Sequence, residues 1–141
     1  MFGFQQSIGE IAEQIGLSST PCWRRIRNLE KAGVIRGRVA LLDREKLGLG
    51  TTVFVAVRTH EHTRGWLDEF ADAVDDFPEV VEFHRMSGDV DYLLKVVVAD
   101  ITAYDDFYKR LIARVPLSDV SSSFAMEVIK STTALPLAPA R

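Results

Sequence analysis

The sequence predicts an α+β protein, with an N-terminal winged helix-turn-helix unit followed by a ferredoxin-like βαββαβ domain. Residues 8–33 contain two runs of apolar residues at helical spacing, separated by a glycine and a Ser-Thr-Pro segment. Residues 51–130 alternate between strand and helix patterns in the order β-α-β-β-α-β, which is the ferredoxin-like arrangement. A chain of 141 residues with 47% hydrophobic and 26% charged residues suits one globular domain or two small ones, and is unlike a disordered or fibrous chain.

The first unit is predicted to contain two helices. The first helix ends at Gly16 and is predicted from apolar residues at the spacing i, i+3, i+4 and i+7, which are Ile8, Ile11, Ala12 and Ile15. The second helix starts within residues 18–21, because Ser and Thr cap helix N-termini and Pro is tolerated in the first turn. The cap is Ser18, Ser19 or Thr20, and the helix ends at Gly33. We expect its buried side to contain Cys22, Ile26 and Leu29.

Residues 34–42 have a β-like pattern that carries Arg36 and Arg38 and is interrupted by Gly37, so we predict a wing strand there. Residues 43–50 are polar and then rich in glycine, which is typical of a linker. The predicted organisation is therefore a helix-turn-helix domain with its wing over residues 1–42, a linker over 43–50, a ferredoxin-like domain over 51–131 and a tail over 132–141.

The ferredoxin-like domain is predicted from four strands and two helices. The strands cover residues 51–59, 80–86, 91–98 and 120–130. Only the turn Ser87-Gly88-Asp89 separates the second strand from the third, so these two strands form a hairpin. Apolar residues at helical spacing over 66–77 and 101–115 predict the two helices, which end at Pro78 and Pro116.

The first strand of this domain is apolar on both sides. Val53, Val55 and Val57 point to one face of the sheet, and Phe54 and Ala56 point to the other. The two helices of a ferredoxin-like domain cover only one face of the sheet. We therefore predict that a homodimer buries the second face.

Charge is distributed unevenly along the chain. The net charge is −3, but residues 1–42 contain six basic and three acidic residues, and residues 43–141 contain the other 11 basic and 17 acidic residues. A basic N-terminal unit on an acidic body predicts that one end of the protein attracts nucleic acid.

The composition also restricts location and chemistry. Cys22 is the only cysteine, which excludes an intrachain disulfide and a zinc cage built from cysteines of one chain. No apolar run approaches the roughly 20 residues that span a bilayer, and the first residues lack the basic start of a secretory signal. We expect a cytoplasmic protein without a membrane partner.

The second helix of the first unit is the expected DNA-contacting element. A helix-turn-helix places this helix in the major groove with its N-terminus first. Arginine suits guanine edges, and small hydroxyl groups suit phosphates or base edges. The expected partner is double-stranded DNA, and the expected contacts, including one from the wing, are Ser18, Ser19, Thr20, Trp23, Arg24, Arg27, Asn28 and Arg38. The alternative is a solvated basic helix in a small helical subdomain.

Three segments resemble one known family. Residues 11–35, IAEQIGLSSTPCWRRIRNLEKAGVI, are similar to the DNA-binding signature of the leucine-responsive and asparagine-responsive (Lrp/AsnC, feast/famine) regulators. Residues 87–96, SGDVDYLLKV, resemble the hairpin of that family's effector-sensing domain, and residues 122–130, SSFAMEVIK, resemble its last strand. The resemblance runs from about residue 8 to residue 137, and it places long motifs in the correct order and spacing.

The resemblance implies a bacterial or archaeal transcriptional regulator. Such proteins dimerise through the ferredoxin-like domain, and the dimers often assemble into octamers or similar discs. A small effector, usually an amino acid, binds between dimers and changes assembly or DNA affinity. The effector contacts implied for this chain are Met86, Ser87, Gly88, Asp89, Asp91, Ser123, Phe124 and Ala125. The alternatives are a simple hairpin turn for Gly88-Asp89 and a core position for Phe124.

One feature departs from the family pattern. The family carries a further helix before the one that starts near Ile8, and an average helix needs about 11 residues. Only residues 1–7 precede Ile8 here, so the resemblance implies a chain that lacks this helix, with Phe2 and Phe4 as candidate fillers of the gap. Either the true start lies upstream or the DNA-binding unit is weakened.

Two other functions were considered. A chain without the first helix could be an amino-acid sensor that binds no DNA and forms mixed oligomers with full-length relatives. Some proteins that resemble the family decarboxylate tetrapyrroles, but His60, His62 and His84 are the only histidines and have no evident reason to converge. His60 and His62 lack a third metal ligand, and no phosphate-binding glycine motif occurs. We therefore expect no catalytic site, no metal and no cofactor.

Overall fold

The computed structural model describes residues 6–138, and the gap-filling role considered for Phe2 and Phe4 falls outside them. The chain divides into two units, which are described separately below. The first unit comprises the described residues of Met1–Leu42 and Ile129–Arg141, and the second is Asp43–Val128. The domain boundaries expected from the sequence remain predictions.

The first unit contains the two predicted helices, α1 (Ile8–Gln14) and α2 (Ser19–Lys31). The Ser7 hydroxyl caps α1 by accepting a hydrogen bond from the Glu10 amide at 3.1 Å. Gly16, with φ of +72°, reverses the chain after α1, and Ser18 occupies the N-cap position of α2. Cys22 is buried as expected, but Leu29 is 42% exposed, because the described part of this unit has no element covering the end of α2 where Leu29 lies.

The predicted wing strand does not form within residues 34–42, all of which the structure describes. The Val34 and Ile35 amides donate to the Leu29 carbonyl oxygen, which closes the end of α2. Residues 36–42 then make no backbone hydrogen bond to another described residue. A strand needs a neighbouring backbone to pair with, and local sequence propensity does not supply one.

The second unit has the predicted βαββαβ order, which confirms the fold class. Its elements are β1 (Thr51–Arg58), α3 (Arg64–Asp75), β2 (Val80–Arg85), β3 (Tyr92–Val98), α4 (Ile101–Arg114) and β4 (Asp119–Phe124). The sheet is antiparallel with the strand order β2-β3-β1-β4. The side chains of Thr63 and Asp100 cap α3 and α4 by accepting hydrogen bonds from backbone amides.

The core lies between the sheet and the two helices. Val53, Val55 and Val57 of β1 are fully buried there, as are Phe70 of α3 and Phe107 of α4. The Phe70 ring lies at the centre of an aromatic cluster, with ring centroids 5.1 Å from Trp66, 5.1 Å from Phe83 and 5.6 Å from Tyr92. Offset and edge-on ring contacts of this kind add to the stability that comes from burying apolar area.

Strand β4 is shorter than predicted, ending at Phe124 instead of residue 130. Its partner β1 starts at Thr51, and the pairing ends where Phe124 lies opposite Val53. The Ala125 amide makes the last bond, to the Thr52 carbonyl oxygen at 2.9 Å. The β-like sequence continues beyond this point, but the neighbouring strand does not, so residues 125–130 are not part of the sheet.

The second face of the sheet, called here the uncovered face, is not covered by either helix. It carries Phe54 and Ala56 of β1 and Leu93, Lys95 and Val97 of β3, which alternate with the buried residues, and Lys95 lies opposite Phe54. Phe54 is 39% exposed, whereas its neighbours Val53 and Val55 are fully buried. Apart from Lys95, the uncovered face is therefore apolar at its centre.

A charged cluster lies beside this apolar centre, on β2 and β3. Glu82 Oε1 lies 3.0 Å from His84 Nε2, and Glu82 Oε2 lies 3.3 Å from Lys95 Nζ. The hydrogen bond with His84, followed by the one from Lys95, lowers the pKa of Glu82 below its usual value. All three side chains are partly exposed, so solvent screens these interactions.

Candidate DNA and effector sites

The predicted DNA contacts lie on two sides of α2. Ser18, Ser19 and Thr20 form its exposed N-terminal end. Because an α-helix turns by about 100° per residue, Arg24 and Asn28 share one side, four residues apart. Trp23 and Arg27, also four residues apart, share a neighbouring side with Glu30. All of these residues except the partly buried Glu30 are exposed.

Two of the predicted arginines are already engaged within the first unit. The Arg27 guanidinium carbon lies 5.4 Å from the centroid of the Trp23 ring. Arg38 Nη2 pairs with Glu30 Oε1 at 2.5 Å. These four side chains line a cleft of about 490 Å³ together with Ile8, Ile35, Arg36 and Gly37.

The Arg24 side chain differs from Arg27 and Arg38. Among the described residues it has no ion-pair or hydrogen-bond partner. Arg24 and Asn28 therefore form one side of α2 on which polar groups are available to bind another molecule.

The turn that connects β2 and β3, residues 86–91, contains five of the predicted effector contacts and is called here the effector turn. The Met86 amide donates to the Asp91 carbonyl oxygen at 2.8 Å, and Gly88 has a φ of +97°, which favours glycine. The Asp91 carboxylate accepts a hydrogen bond from the Thr59 amide at 2.8 Å, so one of its oxygens is committed to the backbone. The Asp89 side chain is exposed.

The other three predicted effector contacts lie at the end of β4. Ser123 pairs with Phe54, and its side chain points to the uncovered face. Phe124 points to the opposite, helix-covered side, where its ring packs edge-on against Tyr104 with centroids 5.3 Å apart. The structure thus gives Phe124 the packing role weighed as its alternative, and its contact with an effector remains a prediction.

The two groups of predicted effector contacts do not meet within one chain. The effector turn contacts β1 at Val57 and Thr59, whereas Ser123 pairs with Phe54. Phe54 and Thr59 are five positions apart, which corresponds to roughly 17 Å along an extended chain. A single pocket that used both groups would therefore need two copies of the chain.

Two functional candidates were not found from the sequence. Arg58, at the end of β1, donates from Nε to the Asp89 carbonyl oxygen of the effector turn at 3.0 Å. The only sequence signal for Arg58 is a charge that ends an apolar strand. The hydroxyl groups of Tyr104 and Ser122 hydrogen-bond on the helix-covered side of the sheet, and burial raises the pKa of Tyr104.

The described residues 6–138 hold neither a metal-binding cluster nor a membrane-spanning helix. They contain no group of three or more His, Cys, Asp or Glu side chains that could hold a metal ion. None of the helices described for them is long and apolar enough to cross a membrane.

A basic helix-turn-helix unit joined to a ferredoxin-like domain with an exposed turn defines a class of proteins: DNA-binding regulators with a separate domain for ligand binding. Two family models match the chain accordingly. "Winged helix-turn-helix DNA-binding" matches residues 5–36, and "Lrp/AsnC ligand binding domain" matches residues 52–135. The chain belongs to the Lrp/AsnC family of transcriptional regulators.

Individual relatives agree with this assignment. The glutamate uptake regulatory protein of Zymomonas mobilis is 55% identical over 131 residues, which cover 93% of this chain and 80% of the relative. The crystal structure of an AsnC family transcriptional regulator from Agrobacterium tumefaciens has 60% identity and a TM-score of 0.89, covering 94% of this chain and 86% of that one. A transcriptional regulator from Neisseria meningitidis, solved as a complex with L-methionine, has 34% identity and a TM-score of 0.87 with the same coverage.

These findings confirm the predicted family, fold class and main function. The chain is a DNA-binding transcriptional regulator. The comparisons favour neither the sensor that binds no DNA nor the tetrapyrrole decarboxylase.

Proposed function

We propose that this regulator reads DNA with the side of α2 that carries Arg24 and Asn28. The observation that carries the proposal is an exposed basic helix, with an arginine that no described residue engages, on a chain of net charge −3. Ser18, Ser19 and Thr20 would contact phosphates or base edges, since they lie at the helix N-terminus. Trp23, Arg27 and Arg38 remain predicted contacts, and Arg27 and Arg38 would first have to leave their partners within the unit.

We expect Arg24→Ala to weaken binding to the specific DNA site by about 1–3 kcal/mol, because a bidentate contact to guanine contributes that much discrimination. The site is first selected from randomised duplexes with the wild-type protein. Fluorescence anisotropy then compares the selected duplex with a random duplex at fixed salt concentration.

The matched control is Arg25→Ala, which removes the same charge from an adjacent, exposed position of α2. We expect this variant to weaken binding to both duplexes equally or not at all. If Arg24→Ala weakens binding to both duplexes equally, Arg24 contacts phosphates and does not read a base.

A homodimer through the uncovered face is part of the proposal. Phe54, Ala56, Leu93 and Val97 give this face an apolar centre, and a second copy would remove it from water. Dimerisation would also pair two α2 helices on a near-palindromic site. We further propose that dimers assemble into an octamer or a similar oligomer, and that the protein acts in the cytoplasm without catalysing a reaction.

An amino acid is the proposed effector, binding at the effector turn. A related regulator binds L-methionine, and an exposed carboxylate such as Asp89 can pair with an α-ammonium group. The predicted contacts at the end of β4 would come from a second copy, because they lie roughly 17 Å away along β1 in the same chain. The effector would then change assembly only by binding one assembly more tightly than another.

We expect Asp89→Ala to abolish the response to the effector and to leave the dimer intact, because the exposed Asp89 side chain makes no hydrogen bond or ion pair with another described residue. Size-exclusion chromatography with light scattering, run with and without each of the common amino acids, measures both properties. Asp105→Ala is the control, since it removes an exposed carboxylate on α4 that pairs only with Lys109. An unchanged response in Asp89→Ala would show that Asp89 does not contact the effector.

A further inference from the structure

Arg58 connects the effector turn to the centre of the sheet. It is the last residue of β1, and its side chain is 55% exposed. Its Nε donates to the Asp89 carbonyl oxygen at 3.0 Å, and its Nη1 lies 4.0 Å from the Asp119 carboxylate at the start of β4. We propose that Arg58 is a positioning residue that holds the effector turn in its binding conformation and thereby sets effector affinity. This inference rests on the effector role proposed above for the turn.

Three successive residues hold the turn: the last two residues of β1 and Thr59 just after it. The Val57 carbonyl accepts from the Asp91 amide at 3.0 Å, and the Thr59 amide donates to the Asp91 carboxylate. Both of these contacts use backbone groups of Val57 and Thr59 and fix only the Asp91 end of the turn. Among the described residues, Arg58 supplies the one contact to the turn that comes from a side chain of β1.

The Arg58 contact falls on the part of the turn that has least other support. Among the described residues, 87–90 make no other hydrogen bond to the rest of the chain. Gly88 precedes the held carbonyl directly, and glycine leaves the backbone free to take other conformations. Loss of the Arg58 side chain would therefore release residues 87–90 while the ladder at Asp91 persists.

The guanidinium group suits this position better than an ammonium group. It presents Nε and Nη donors in a rigid planar fork, so it can donate a hydrogen bond to the Asp89 carbonyl and face Asp119 at the same time. Its positive charge also faces the Asp119 carboxylate. At 4.0 Å and partly exposed, the pair with Asp119 orients the fork more than it stabilises the fold.

The test compares Arg58→Ala and Arg58→Lys with the wild-type protein by isothermal titration calorimetry. The probe is L-methionine and, in parallel, the amino acid that gives the wild type its largest assembly response. We expect Arg58→Ala to weaken binding about tenfold, the effect of losing one charge-assisted hydrogen bond. Arg58→Lys keeps the charge but loses the fork, and we expect it to recover only part of this affinity.

A second readout needs no ligand. We expect the 15N order parameters of residues 87–90 to fall in Arg58→Ala and to stay unchanged in the strands, with an unaltered Tm. Arg114→Ala is the matched control, because it removes an exposed Arg–Asp pair of 3.0 Å, with Asp76, that has no contact with the effector turn. We expect this control to change neither affinity nor the order parameters of residues 87–90.

The results separate this inference from the proposed function. If Arg58→Ala binds the amino acid as tightly as the wild type does, the inference is wrong and the proposed function is unaffected. Full recovery in Arg58→Lys also overturns it, because charge alone would then suffice. Unchanged order parameters at residues 87–90 contradict the positioning role. If neither the wild type nor Arg114→Ala binds any amino acid, both the proposed effector role and the inference that rests on it are wrong.

Discussion

Phe54→Asp is expected to convert the protein into a monomer. Phe54 lies on central strand β1, with its side chain on the uncovered face and 39% exposed. In a monomer the new carboxylate would face water, so the fold would persist. In the proposed dimer, two-fold symmetry would bury two such carboxylates. Taking these carboxylates out of water costs several kcal/mol even though Lys95 lies opposite position 54 and could pair with them, so we expect the dimer dissociation constant to rise by about 100-fold or more.

Size-exclusion chromatography with light scattering over a dilution series checks this expectation, and circular dichroism checks that the variant is folded. Ile101→Asp is the matched control, because Ile101 is an exposed residue of α4, outside the uncovered face. We expect this control to keep the wild-type dissociation constant. A Phe54→Asp variant that dimerises as tightly as the wild type would place the interface elsewhere.

Phe70→Ala is expected to destabilise the second unit by about 3–5 kcal/mol, the usual cost of removing a fully buried phenylalanine side chain. Phe70 is completely buried, and its ring contacts the rings of Trp66, Phe83 and Tyr92. The cavity would lie between α3 and the sheet, where the neighbouring rings cannot collapse fully into it.

Urea unfolding followed by Trp66 fluorescence measures this effect. Trp23 is the other tryptophan, so the series is made in a Trp23→Phe background. Protein concentration is held constant, because dimerisation contributes to the apparent stability. Phe70→Leu, which keeps most of the volume, should cost less than half as much, and Ile101→Ala, at an exposed position, should change the free energy of unfolding by at most about 0.5 kcal/mol. A loss below about 1 kcal/mol for Phe70→Ala would contradict the packing described here.

The sequence predicted the elements that depend on local pattern. Apolar alternation located β1, and the Ser87-Gly88-Asp89 turn located the β2–β3 hairpin. The residue order around Pro21 placed the start of α2 within residues 18–21, and the helix begins at Ser19. In each case the signal lies within about ten residues of chain, which is the range over which backbone propensity and side-chain periodicity act.

Features that depend on distant partners were not predicted. The predictions of the wing strand and of the end of β4 were wrong because a strand continues only as far as a neighbouring backbone does, and β1, the partner of β4, begins only at Thr51. Leu29 was expected to be buried because helical periodicity gives the side of a helix and not what covers it. The contact between Arg58 and the Asp89 carbonyl joins residues 31 positions apart, a distance at which the sequence gives no pairing rule.

The separation of the predicted effector contacts along β1 has a consequence for how this regulator would behave in a cell. If the effector site is complete only when one copy supplies the effector turn and a second copy supplies the end of β4, ligand binding and assembly are coupled. The ligand titration curve must then move to lower ligand concentration as more protein is made. A cell that raises expression would thereby make its switch more sensitive, and a diluted sample would need more amino acid for the same occupancy. The threshold of the switch would then be set by gene dosage as much as by the nutrient supply.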